Sequence, residues 1–153
     1  TISERTTYTK LRNRALVELQ KMYDGNATKL MYVAKICDSN STQYSKSTPN
    51  DVMYENMDDY IQGHGSEGNK KKAAQNFLDV STLSMEEIKI RALVKDCLFY
   101  RFLLTKAGGW IEPMDSGIRM GKRPSECLDF LMDPKNEESL LSLMDKVEPY
   151  WNA

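Results

Sequence analysis

Residues 84–109 read SMEEIKIRALVKDCLFYRFLLTKAGG, and the fold class turns on this stretch. Ser84 followed by Glu87 three residues on is capping-box spacing, in which each side chain satisfies a backbone N–H that the first helical turn leaves free. Gly108 and Gly109 offer the φ > 0 conformation that commonly closes a helix. Laid out at about 100° per residue, Ile88, Ile90, Leu93, Val94, Cys97, Leu98, Phe99, Phe102, Leu103 and Leu104 spread around the whole circumference rather than along one stripe. A helix apolar on every side is either a membrane span or the middle of a helical bundle. Arg91, Lys95, Asp96 and Arg101 interrupt it every few residues, and each would be costly at mid-bilayer. The stretch therefore predicts a central core helix over about 85–106, with Leu98 and Leu103 nearly fully buried and no membrane role.

Working outward, amphipathic helical pattern surrounds this core on both sides. Tyr8, Leu11, Ala15, Leu19, Met22 and Tyr23 share one face of a first helix over about 8–23 that Gly25 stops, and Lys10, Arg14 and Lys21 form a narrow basic stripe on the opposite face. Leu30, Met31, Ala34 and Cys37 mark a second helix from Ala27 to Cys37. The segment DSNSTQYSKSTPND is polar and turn-rich, and reads as a surface loop suited to mobility or binding. Val52, Met53, Met57, Tyr60 and Ile61 mark a third helix, acidic on its outer side through Asp51, Glu55, Asp58 and Asp59. After Gly63-His64-Gly65, Lys70-Lys71-Lys72 opens a fourth helix with Ala73, Ala74, Phe77 and Leu78 inside. Past the central helix, GGWIEPMDSGIRMGKRP is a second long irregular segment. Ser125 caps a sixth helix ended by Pro134, and Asn136 a seventh ended by Pro149. The expected architecture is all-α: a single-domain bundle of six or seven helices over residues 1–153.

Composition narrows the function classes. A hydrophobic share of 41% against 28% charged residues is what a chain with a packed core carries, and it argues against global disorder. A net charge of −1 gives no bulk attraction to nucleic acid or anionic lipid, so any such role needs a local patch. Such patches exist by sequence, because the first 22 residues are net positive and residues 126–148 net negative. Cys37, Cys97 and Cys127 are too few and too widely spaced for a disulfide framework or a zinc site. Reduced, inert thiols and a cytoplasmic or nuclear setting are expected, with no visible signal peptide. The sequons Asn26-Ala27-Thr28 and Asn40-Ser41-Thr42 read as chance matches. A chain opening on Thr1 rather than Met is expected to be processed or part of a larger protein.

Candidates for chemistry are sparse. His64 is the only histidine, flanked by glycines and without a partner nearby in sequence, so it makes neither a general base nor a metal site. The glycines around it follow a helix and lack the spacing of a phosphate loop. The acidic side of the third helix lacks alternate-residue calcium-loop spacing, and no serine nucleophile elbow occurs. No catalytic residue, metal or cofactor is expected, and the chain reads as a non-enzyme. Trp110, directly after the glycine pair, is either a plug sealing the core or an exposed partner anchor. With Arg119, Lys122 and Arg123 it makes the aromatic-plus-Arg mixture that dominates interface hot spots.

The leading expectation is a protein-interaction domain that binds a partner peptide or helix in a surface groove through Trp110, Arg119, Lys122 and Arg123, with self-association as a further option. Opposite-sign surface regions suit such head-to-tail docking. The alternative is an RNA-binding module of viral nucleoprotein or polymerase-cofactor type. It would use Lys10, Arg14 and Lys21 together with Lys70, Lys71 and Lys72. A buried helix ringed by amphipathic ones is shared with such modules as layout alone, and layout does not carry function.

Overall fold

The computed structural model describes residues 1–38, 42–63 and 67–153. His64 and Gly65, and Asn40-Ser41 of the second sequon, lie outside the described residues. Among the described residues there are seven α-helices and a two-stranded antiparallel sheet, so the chain is the all-α bundle that its periodicity predicts. The helices are α1 (Ile2–Gly25), α2 (Ala27–Cys37), α3 (Asn50–Gln62), α4 (Glu67–Ser81), α5 (Met85–Phe99), α6 (Pro124–Met132) and α7 (Glu137–Trp151). The strands are β1 (Leu103–Thr105) and β2 (Ile111–Pro113). The chain forms two compact units, Thr1–Ser84 and Met85–Ala153. No helix among the described residues is long and apolar enough to cross a membrane.

In the first unit α1 packs against α2, α3 and α4, most extensively against α4. It buries Leu11, Ala15, Leu19 and Met22, one face of the helix at i, i+4, i+8 and i+11. Asn26 then starts α2 by accepting the backbone N–H of Lys29 at 3.1 Å, which satisfies an orphan donor of the first turn. The asparagine of the first sequon is thus a helix cap. The polar segment after α2 differs from the surface loop expected of it, because Tyr44 is buried there. Its hydroxyl donates to the Asp38 carboxylate, and Asn56 Nδ2 donates to the Tyr44 oxygen at 3.0 Å. Buried Lys35 donates to the Tyr44 carbonyl. Burial, helped by Asp38, pushes the Tyr44 phenol up to about 12. One aromatic residue in a polar run sets no period, so the pattern gave no sign of it.

In the second unit α5 is packed on by α6, α7 and β1. Ile88, Ile90, Ala92, Leu93, Val94, Asp96 and Cys97 are all buried, consistent with an apolar surface that has no polar stripe. The helix is shorter than expected and stops at Phe99, well before residue 106. Arg101 takes φ 66°, and the Phe102 N–H bonds the Cys97 carbonyl at 2.8 Å. This six-to-one bond is a Schellman closure with arginine where glycine is usual. The chain beyond it pairs as β1 with β2, Leu103 opposite Pro113 and Thr105 opposite Ile111. Gly108 and Gly109, at φ 81° and 83°, serve this hairpin's turn and not the end of α5. Leu103 is 1% exposed, as expected. Leu98 is only half-buried because it lies in the last turn of a helix that ends one residue later.

α7 also departs from expectation by running through Pro149 to Trp151. A proline this close to the C-terminus forfeits little more than one helical hydrogen bond. Trp151 is buried, and its Nε1 donates to Asp96 Oδ2 at 2.6 Å, which fixes the end of the helix onto α5.

Candidate binding surface

The β1–β2 hairpin positions Trp110. The Lys106 N–H donates to the Trp110 carbonyl at 2.7 Å, so Trp110 is held at the exit of the turn. Its indole lies over Gly108, with Cδ1 3.6 Å from where a Cβ there would stand. Ile111 next accepts from Met120 N–H at 2.9 Å and donates to the Gly121 carbonyl at 2.7 Å, an antiparallel bridge outside the named strands. Only glycine fits at 121, because a Cβ would come within 2.4 Å of the Glu126 Cβ.

That bridge decides the site. Pairing Ile111 with Gly121 in antiparallel sense puts Trp110 opposite Lys122, and cross-strand neighbours of this kind interact directly. Lys122 Nζ lies 5.0 Å and Arg119 Cζ 5.1 Å from the centre of the Trp110 ring, within cation–π range. Arg119 and Lys122 are exposed, while Met120 between them is buried and anchors the segment. Arg123 is next along the chain and stands 3.7 Å from the Glu126 carboxylate, beside the indole pair but not over the ring. Glu126 also accepts the Lys122 N–H at 2.9 Å, which steadies this edge. Trp110 is half-buried and absent from the core, so it is an incomplete plug with a cation-covered face. Met114 and Ile118, both exposed, add apolar area in the same segment.

The other expected cations belong to the first unit. Lys10, Arg14 and Lys21 are exposed on one arc of α1, and Lys21 is paired with Glu18 at 3.4 Å. Lys70 backs against Gly63, whose absent Cβ would meet the Lys70 Cα at 2.9 Å, and Lys71 and Lys72 are exposed. Tyr8 donates to the Gln62 carbonyl at 3.1 Å, and Arg12 lies 5.7 Å over the Tyr8 ring. The start of α4 thus stands by the Tyr8–Arg12 face of α1, far around the helix from the Lys10–Arg14–Lys21 arc.

Sequence reasoning also missed an aromatic cluster at the end of α5. Tyr100 stacks on Tyr150 at 4.1 Å, with Phe99 and Phe102 against its other sides. Its members are close in space but irregular in sequence, so no period marks them. The cysteines are buried. Burial first, then the Asp96 charge, pushes the Cys97 thiol up to about 12, and burial with Glu126 takes Cys127 to about 11. Both are therefore neutral thiols near pH 7, without the thiolate that reactivity requires. Among the described residues no three His, Cys, Asp or Glu side chains are placed to hold a metal ion. No family model, no curated protein and no solved structure matches this chain.

Proposed function

We propose that this chain is a non-enzymatic binding module whose working surface is the Trp110 hairpin, engaging an anionic segment of a protein partner. The single observation that carries the reading is the pair of cations, Arg119 and Lys122, lying over one half-buried indole. A cation ordered on a Trp face loses less freedom when it meets a carboxylate than one waving in solvent, which favours binding. Met114 and Ile118 supply the apolar contact that such an interface also needs. The expected surface groove, which apolar side chains such as Leu and Met would have to line, has less support. The described depression on α7, about 610 Å³, is lined by Glu137, Glu138, Leu141, Ser142, Asp145 and Lys146, one leucine and no methionine among five polar or charged residues. Three buried thiols support a reducing, cytoplasmic or nuclear setting within the same proposal.

RNA binding is the competing reading, because Trp with nearby cations also suits stacked bases and phosphates. It is the weaker one here, since a base stacking on Trp110 has to displace a cation already over the ring. Fluorescence anisotropy with a labelled Glu/Leu helical peptide and a labelled oligo-uridine, each from low to high salt, separates the two. The peptide should bind, and Lys122→Glu should weaken it by about tenfold or more. Tighter binding of the RNA, with affinity falling steeply as salt rises, would replace the protein reading with the nucleic-acid one.

A further inference from the structure

The first unit holds a second site of opposite character, formed where α1 meets α3. A cavity of about 370 Å³ is lined by Gln20, Tyr23, Asp51, Tyr54 and Glu55. The rings of Tyr23 and Tyr54 meet edge to face, with centres 5.2 Å apart and planes at 66°, so together they make a cornered wall. Each ring is fixed by its hydroxyl. Tyr23 donates to Asp51 Oδ1 at 2.5 Å, and Tyr54 reaches Gln20 Oε1 at 3.4 Å. Gln20 is itself held by Asp24, at 3.0 Å from its Nε2. Asp51 is already used twice, in the first turn of α3 and as the Tyr23 acceptor. Glu55, one helical turn further on, is exposed, and among the described ion pairs it has no cation.

We infer that this cavity binds an organic cation, an ammonium or guanidinium group of the kind a Lys or Arg side chain presents, between the two tyrosine rings and the Glu55 carboxylate. The aromatic rings make the difference from a merely acidic helix face. Ring faces attract a cation through their quadrupole and prefer one that sheds water easily. A hard divalent ion instead needs several oxygen ligands, and Asp51 already accepts the Tyr23 hydroxyl. The edge-to-face contact of the two rings and the Tyr23–Asp51 hydrogen bond hold the wall before any ligand arrives, so less ordering is left to do on binding. The site lies in the first unit and uses none of the Trp110 residues.

The test is an NMR titration of the whole chain with tetramethylammonium, Nα-acetyl-lysine amide and Nα-acetyl-arginine amide, following the ring protons of Tyr23 and Tyr54. Nα-acetyl-norleucine amide, with a similar stem and no charge, and magnesium chloride are the controls. The cations should give saturable shifts with Kd of about 1 mM, typical of one weak cation–π site. Both lysine and arginine amides outcompeting tetramethylammonium would place the ligand on a peptide; the reverse order would place it on a quaternary ammonium, and either result supports the site. Tyr54→Phe, which keeps the ring and loses only the long Gln20 bond, should bind within about threefold of the parent. Tyr54→Leu should lose about tenfold, and Glu55→Gln about threefold. Trp110→Ala should change nothing, which separates this site from the hairpin. Equal shifts with norleucine amide or magnesium would overturn the inference, as would unchanged lysine-amide binding by Glu55→Gln. That variant lies on an exposed face and keeps the test valid if Tyr54→Leu does not fold.

Discussion

Trp151 donates its indole N–H to the Asp96 carboxylate at 2.6 Å, with both residues buried, and this bond joins the last residue of α7 to the last turn of α5. Removing a donor from a buried polar group costs its desolvation as well as the bond. Trp151→Phe should therefore lower unfolding free energy by about 2–3 kcal/mol in a urea series, including lost packing. Trp151→Phe with Asp96→Leu should cost less than the sum of the two single changes, because both remove the same bond.

Leu103 and Leu98 are both on the apolar stretch that reads as a helix, yet they sit in different environments. Leu103, fully buried in β1, should lose about 2–5 kcal/mol on truncation to alanine. Leu98, half-buried in the last turn of α5, should lose less than Leu103 does. Chemical denaturation of the two variants side by side reads the order directly.

Arg101 occupies the left-handed position that ends α5. A side chain there costs roughly 1–2 kcal/mol relative to glycine, partly offset by glycine's larger unfolded entropy. Arg101→Gly should raise stability by about 0.5–1 kcal/mol. A lower melting temperature would mean that the arginine side chain, and not the backbone conformation, holds the helix end.

Alkaline unfolding has a predicted window. Tyr44, raised from 10.0 to about 12, and Cys97 and Cys127, raised from 9.0 to about 12 and about 11, hold their protons more tightly folded than unfolded. The stability they contribute is complete below the unfolded values and is lost as pH rises through about 9 to 12. Circular dichroism across that range should show the chain weakening from pH 9 upward. Tyr44→Phe should remove the tyrosine share of this dependence, while leaving Asp38 short of one buried donor.

Much of the fold was legible because helices announce themselves locally. The face of α1, the span of α2 and the start of α5 after Ser84 follow from spacing and caps alone. What escaped depends on partners distant in sequence. The end of α5 was misplaced because its closure uses Arg101, while the glycines that look like a stop belong to a turn. β1 and β2 are three residues each, too short for alternation to register. α7 passes Pro149 because Trp151 has a buried carboxylate to reach. At the candidate surface, composition flagged Trp110, Arg119 and Lys122, but the Ile111–Gly121 pairing that stacks them is tertiary. The Tyr23–Tyr54 corner went unseen for the same reason, since its two rings come from helices 28 residues apart at the Tyr23–Asp51 bond.

The account turns on whether Trp110 serves binding or packing, and one variant separates the two. Trp110→Ala, measured by urea denaturation and by anisotropy with the Glu/Leu helical peptide, should keep stability within about 1 kcal/mol of the parent. It should also weaken peptide binding by about tenfold or more, as loss of an interface anchor does. A stability loss of about 3–5 kcal/mol, the cost of emptying a core site, or peptide binding equal to the parent's, would contradict the assignment of the hairpin as the working surface.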